Sequence, residues 1–97
     1  MRVKLHDGKV LEVKEPTEKH LIDYLVVTEK HDELVKNKKQ LEAAKLILDT
    51  RNKTIQELSG LSSDDVRNMC LVDQQKVFEC IKSRYVYSGQ NDYRTDF

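Results

Sequence analysis

"DELVKNKKQLEAAKLILDTRNKTIQEL", Asp32 to Leu58, contains neither glycine nor proline, and Leu34, Leu41, Leu48 and Ile55 recur in it every seven residues. That spacing predicts one long helix over 32–58. The companion positions are Asn37, Ala44, Arg51 and Leu58, so half of the second stripe is polar and a strict coiled coil is disfavoured. The leucine face either packs on the rest of the domain or meets a second copy or another protein. A helix of this length spans roughly 40 Å at 1.5 Å per residue, which is long for a small domain to cover.

Upstream, "MRVKLHDGKVLEV" alternates apolar and polar residues around His6-Asp7-Gly8. A two-residue Asp7-Gly8 turn would pair Leu5 with Val10 and split the apolar set between two faces. A three-residue loop, His6-Asp7-Gly8, pairs Val3 with Leu11 and Met1 with Val13 and gathers the set on one face. The expected element is therefore a β-hairpin over 1–14 with Gly8 left-handed in a G1 bulge. A lone hairpin is marginal in water, so its apolar face must rest on a helix.

Between hairpin and long helix, Pro16 disfavours a helical Glu15, and Thr17 can cap the amides of Lys19 or His20. A helix over 18–30 follows, with Leu21, Ile22, Leu25 and Val26 as a broad apolar face. The β-branched residues near Val27 and a fresh cap at Asp32 predict a kink or short break around Val27 to His31.

Downstream, Gly60 is a natural left-handed residue to end the long helix. Ser62 with Asp65 approximates a capping box, flanked by Leu61 and Val66 as a staple, so a short helix over 63–70 starts afresh. Asp73 repeats the device between Val72 and Val77 and predicts a last helix over 74–86 carrying Val77, Phe78, Ile81 and Tyr85. The sequence after Ser88-Gly89 reads as a mobile tail over 89–97. The whole is one domain over 1–88, mainly α: an N-terminal β-hairpin followed by a helical bundle with one long central helix.

Composition agrees with that class. The 97 residues are 35% charged and 38% hydrophobic with zero formal net charge, a soluble helix-rich profile rather than a disordered one. A chain of this size buries roughly 65% of its unfolded surface. Neutrality argues against nucleic-acid binding, and the basic run Lys36-Asn37-Lys38-Lys39 reads as the solvated face of a helix. No run approaches a membrane span, so the expected location is cytosolic.

No catalytic constellation emerges. His6, His20 and His31 are scattered, none at a zinc-ligand spacing from another, and Cys70 and Cys80 form no CxxC pair and read as small buried hydrophobes. Asp64 and Asp65, adjacent on a helix, point different ways and fit the positive end of its dipole. With no Gly-rich phosphate loop and no nucleophile elbow, the expectation is a non-enzyme without metal or cofactor that works through its surface.

Taken in order, "VKLHDGKVLEVKEPTEKHL" and "IQELSGLSSDDVRNMCLVDQQKVFECI" resemble the small tail assembly chaperones of long-tailed bacteriophages. In that family a β-hairpin ends in a basic residue followed by Glu-Pro-Thr, matched by Lys14-Glu15-Pro16-Thr17. A Leu, small residue, Gly-Leu-Ser turn is matched by Leu58-Ser59-Gly60-Leu61-Ser62, and an aspartate opening the last helix by Asp73. The polar middle, "VVTEKHDELVKNKKQ", departs from the pattern. The resemblance implies a non-enzymatic role in the host cytoplasm: binding the phage tape-measure protein, keeping its apolar helices from aggregating, and bringing tail-tube protein to it. Candidate partner contacts are Leu34, Leu41, Leu48, Val77, Phe78, Ile81 and Tyr85, each also a candidate for the core. Self-association through the long helix is a further possibility. Other classes that fit are a small structural virion component, such as a connector or baseplate subunit, and a helical DNA-binding regulator motivated by Lys36 to Lys39.

Overall fold

A computed structural model describes residues 1–85; the tail expected over 89–97 lies outside the described residues. Strands β1 (Arg2–Lys4) and β2 (Val10–Glu12) pair antiparallel with Val3 opposite Leu11. The register is the one that keeps the apolar residues together. Beyond the strands, the Val13 N–H donates to the Met1 carbonyl at 2.8 Å, and the Met1 ammonium donates to the Val13 carbonyl at 2.6 Å. The loop closes through Gly8 N–H to the Leu5 carbonyl at 3.0 Å, with Gly8 at φ 89°. Val3 and Val13 are thereby placed in the core.

Four helices follow among the described residues: α1 (Glu18–Lys36), α2 (Gln40–Ser59), α3 (Ser63–Asn68) and α4 (Leu71–Lys82). The mainly helical class and the N-terminal hairpin are as expected, but several helix boundaries are not. Helix α1 runs straight through Val27 to His31, where a break was expected, and the interruption falls instead at Asn37 to Lys39. The helix expected over 32–58 is therefore two pieces. Leu34 lies on α1, while Leu41, Leu48 and Ile55 lie on α2, so the seven-residue recurrence spans a turn. At that turn Lys38 takes φ 62°, its N–H reaches the Val35 carbonyl, and the Lys39 N–H reaches the Leu34 carbonyl at 2.9 Å. This is a Schellman motif formed without glycine.

The start of α1 lies beside the end of α2, so the two helices form an antiparallel pair. His20 makes the link. Its Nδ1 accepts the Thr17 N–H at 3.0 Å, and its Nε2 lies 3.0 Å from Glu57 Oε2. Thr17 and His20 form a reciprocal capping box: the Thr17 side chain faces the His20 amide as expected, the His20 ring accepts the Thr17 N–H in return, and the His20 N–H also reaches the Thr17 carbonyl at 3.0 Å.

The last boundary is also displaced. Ser62 caps α3 as expected, its hydroxyl accepting the Asp65 N–H at 3.1 Å. Helix α4, however, begins at Leu71 with Cys70 at its N-cap, ahead of Asp73. Asp73 sits inside the first turn because its carboxylate is taken by His6 of the hairpin loop. Val72, 69% exposed, consequently forms no staple with buried Val77. Helix α4 ends at Lys82, short of the expected 86.

The core gathers Val3 and Val13 of the hairpin, Ile55 and Leu58 of α2, Val66 of α3, Val77, Phe78 and Ile81 of α4, and Tyr85. Each such side chain contributes about 1.5–3 kcal/mol on burial. The hairpin is held to α2 as well as to α4, since the Lys14 N–H donates to the Leu58 carbonyl at 2.8 Å.

Candidate partner-docking surface

Four of the seven residues expected to contact a partner are interior. Val77, Phe78 and Ile81 of α4 are buried in the core and hold that helix in place, and Tyr85, just past its end, is also buried and reaches the surface only as part of a groove wall. Leu34 is half-buried. Only Leu41, 70% exposed, and Leu48, 42% exposed, offer apolar surface, and they lie two turns apart on one side of α2.

The larger exposed apolar feature belongs to α1. No side chain of this helix is fully buried. His20, Tyr24, Val27 and His31 are half-buried on its inner side, while Ile22, Leu25 and Val26 stand on the outer side at 49%, 39% and 59% exposure. The cause is in the sequence. Leu21, Ile22, Leu25 and Val26 cover too wide an arc for one neighbour to bury. Helix α2 also faces α1 with Thr50 and Thr54, around a gap of about 220 Å³, rather than with large apolar side chains. That uncovered outer face is a candidate docking surface, distinct from the leucine recurrence on α2.

The outer face runs into a groove of about 460 Å³ lined by Pro16, Leu21, Ile22, Leu25, Arg84 and Tyr85. Tyr24 forms its inner wall support, packing edge-on to Phe78 at 6.1 Å and tilted against Tyr85 at 5.3 Å between ring centroids. Lys82 Nζ lies over the Phe78 ring at 5.2 Å. The Tyr85 hydroxyl is buried and has no hydrogen-bond partner among the described residues. Burial, with Tyr24 and Asp23 nearby, pushes its pKa up to about 12. The rim is charged: Arg84 Nε lies 3.6 Å from Glu15 Oε2, and Glu18 lines the mouth. An apolar floor with a charged rim suits the hydrophobic edge of an amphipathic helix.

Two clusters of polar side chains were not apparent from spacing. In the first, Thr17 Oγ1 lies 2.9 Å from His20 Nδ1 and Glu57 lies on the far side of the ring. These are the residue types of a nucleophile, base and acid relay. The Nδ1 lone pair is already held by the Thr17 N–H, so the cluster is a helix cap. In the second, Asp73 accepts the His6 N–H at 2.9 Å through Oδ1 and meets His6 Nδ1 at 2.6 Å through Oδ2. The hydrogen bond to Asp73 holds the His6 imidazole above its ordinary pKa, and the same bond holds the Asp73 carboxyl below its own. Cys70, expected to be buried, is exposed beside them.

No protein family, curated protein or solved structure matches the chain. Among the described residues, no helix is long and apolar enough to cross a membrane.

Proposed function

We propose that this chain is a non-enzymatic tail assembly chaperone of the long-tailed bacteriophage kind, acting in the host cytoplasm on the tape-measure protein and assisting the arrival of tail-tube protein. The observation that carries the reading is α1, a helix whose outer face leaves Ile22, Leu25 and Val26 uncovered beside an apolar groove. A chaperone for amphipathic helices needs such a face, folded and uncovered before its client arrives. The order of Lys14-Glu15-Pro16-Thr17, Leu58-Ser59-Gly60-Leu61-Ser62 and Asp73 adds the family likeness. Asp73 adds less than its position suggested, since it serves His6 rather than capping its helix.

The test is co-expression with the long helical tape-measure protein that this reading expects to be encoded downstream. Under this reading the partner stays soluble and copurifies, and the chain is lacking from purified virions. A partner that remains insoluble and unbound, or a stoichiometric signal from this chain in mass spectra of particles, overturns it. The second outcome would favour the structural-subunit class.

A further inference from the structure

Three side chains able to hold a metal ion converge where the hairpin loop meets the start of α4. His6 comes from the loop, Cys70 from the α4 N-cap and Asp73 from its first turn, and their donor atoms all lie within 4.8 Å of one another. Cys70 Sγ is 3.7 Å from His6 Nδ1, and that Nδ1 is 2.6 Å from Asp73 Oδ2. We propose that His6, Cys70 and Asp73 form a zinc site, with water in the fourth position.

The convergence on one nitrogen decides between two chemistries. A thiol nucleophile needs its histidine to take the thiol proton on one ring nitrogen while a carboxylate orients the other. Here Cys70 and Asp73 both address Nδ1, which is useless for such a relay. It is what chelation requires, since three donors must face one point. A tetrahedral zinc ion with bonds of about 2.0–2.3 Å separates sulfur from nitrogen by about 3.5 Å and nitrogen from oxygen by about 3.3 Å. The first separation is met. The second needs the His6 ring to swing by about 0.7 Å, and the His6 side chain, 62% exposed, is free to do so.

The surroundings suit an ion. Asp73 is anchored through Oδ1 by the His6 amide, so one ligand is fixed before any metal arrives. Cys70 occupies an N-cap without making the side-chain cap bond that Ser, Thr, Asp or Asn would supply there, and its exposed thiol is turned to His6 instead. The cluster opens onto a groove of about 390 Å³ that Asp7, Asp65 and Lys9 also line, giving the ion a way in past two carboxylates and one ammonium. A mixed sulfur, nitrogen and oxygen set selects zinc over magnesium or calcium. Bound there, zinc would clamp the hairpin to α4 independently of the partner surface on α1.

The experiment uses the untagged full-length chain, reduced and freed of metal by chelation, titrated with Zn²⁺ by calorimetry and with Co²⁺ by absorption. One equivalent of Zn²⁺ should bind, and Co²⁺ should give a thiolate charge-transfer band. C70S should abolish the band and weaken Zn²⁺ about tenfold or more, H6Q should weaken it similarly, and C80S should leave both unchanged. Because Cys70 is exposed, metal-free C70S should match the parent protein in circular dichroism, which separates lost ligation from lost folding. Parental affinity in C70S, an equal loss in C80S, or no saturation at one equivalent overturns the site.

Discussion

Lys38 and Gly60 hold the same left-handed backbone conformation at the ends of two consecutive helices, at φ 62° and φ 75°. Gly60 adopts it freely, whereas a side chain there costs roughly 1–2 kcal/mol. A Cβ at Gly60 would meet no atom within 4 Å, so the cost of adding one is purely that of the backbone. Lys38→Gly should therefore stabilise the fold by about 1 kcal/mol and Gly60→Ala should destabilise it by about the same. Urea midpoints moving in opposite directions at unchanged slope would show this; a loss of stability in Lys38→Gly would mean that the lysine side chain is held by contacts that outweigh the strain.

That pair also explains which parts of the fold were legible. The turn at Gly60 was readable because glycine marked it and Ser62 capped what followed. The turn at Lys38 carries no such mark, and the recurrence of leucine from Leu34 to Leu48 continued across it by coincidence. Chain reversal there rests on tertiary pairing of α1 with α2, through contacts such as His20 with Glu57, which local sequence does not encode. The hairpin register was readable because only one choice keeps Val3, Leu11 and Val13 together. The docking face and the His6, Cys70 and Asp73 cluster were not, since the first depends on what fails to cover α1 and the second on a histidine 64 or more positions from its two partners.

Arg51 poses a different energetic question. It is buried with no carboxylate within ion-pair distance among the described residues, and burial draws its pKa down. Its Nη2 donates to Gln74 Oε1, while Gln74 Nε2 donates to the Val66 carbonyl at 2.6 Å, so one amide joins α2, α3 and α4. Gln74→Leu removes the partner of Arg51 Nη2, leaving the guanidinium only the bond from Nε to Asn52 Oδ1 at 3.4 Å, and leaves the Val66 carbonyl only the Met69 N–H at 3.2 Å, so it should cost about 2 kcal/mol. Arg51→Met removes the charge itself, keeps the packing of the stem, and should cost about 1 kcal/mol or less. Thermal unfolding of the two variants should rank them in that order, and the reverse order would mean that the guanidinium contributes net stability.

Tyr85 should govern stability at alkaline pH. The unfolded chain releases the phenol proton near 10.0, but the folded protein holds it until about 12. The contribution is fully present below pH 10.0 and lost as pH rises toward 12, because deprotonation in that interval favours the unfolded chain. Tyr85→Phe removes this loss. It also removes a buried hydroxyl that lacks a partner among the described residues, so it should raise stability at neutral pH by about 1 kcal/mol. Parallel denaturation curves at pH 8 and above for both proteins provide the check, using their difference so that other titrating groups cancel. A difference that does not grow with pH would contradict the assignment.

Charge placed on α1 distinguishes a docking face from an inert one. Ile22 and Val26 are exposed, so Ile22→Asp and Val26→Asp should change folding stability by no more than about 0.5 kcal/mol. Each puts a carboxylate in the middle of the uncovered face, where a partner's apolar edge would have to desolvate it, and should cut capture of the tape-measure protein in co-expression at least about tenfold. Leu41→Asp, at the far end of α2, serves as the comparison. If it abolishes capture while the α1 variants do not, the working surface is on α2, and gel filtration of the isolated chain then asks whether Leu41 and Leu48 instead meet a second copy. If all three variants capture the partner as well as the parent does, the exposed face of α1 carries no docking role.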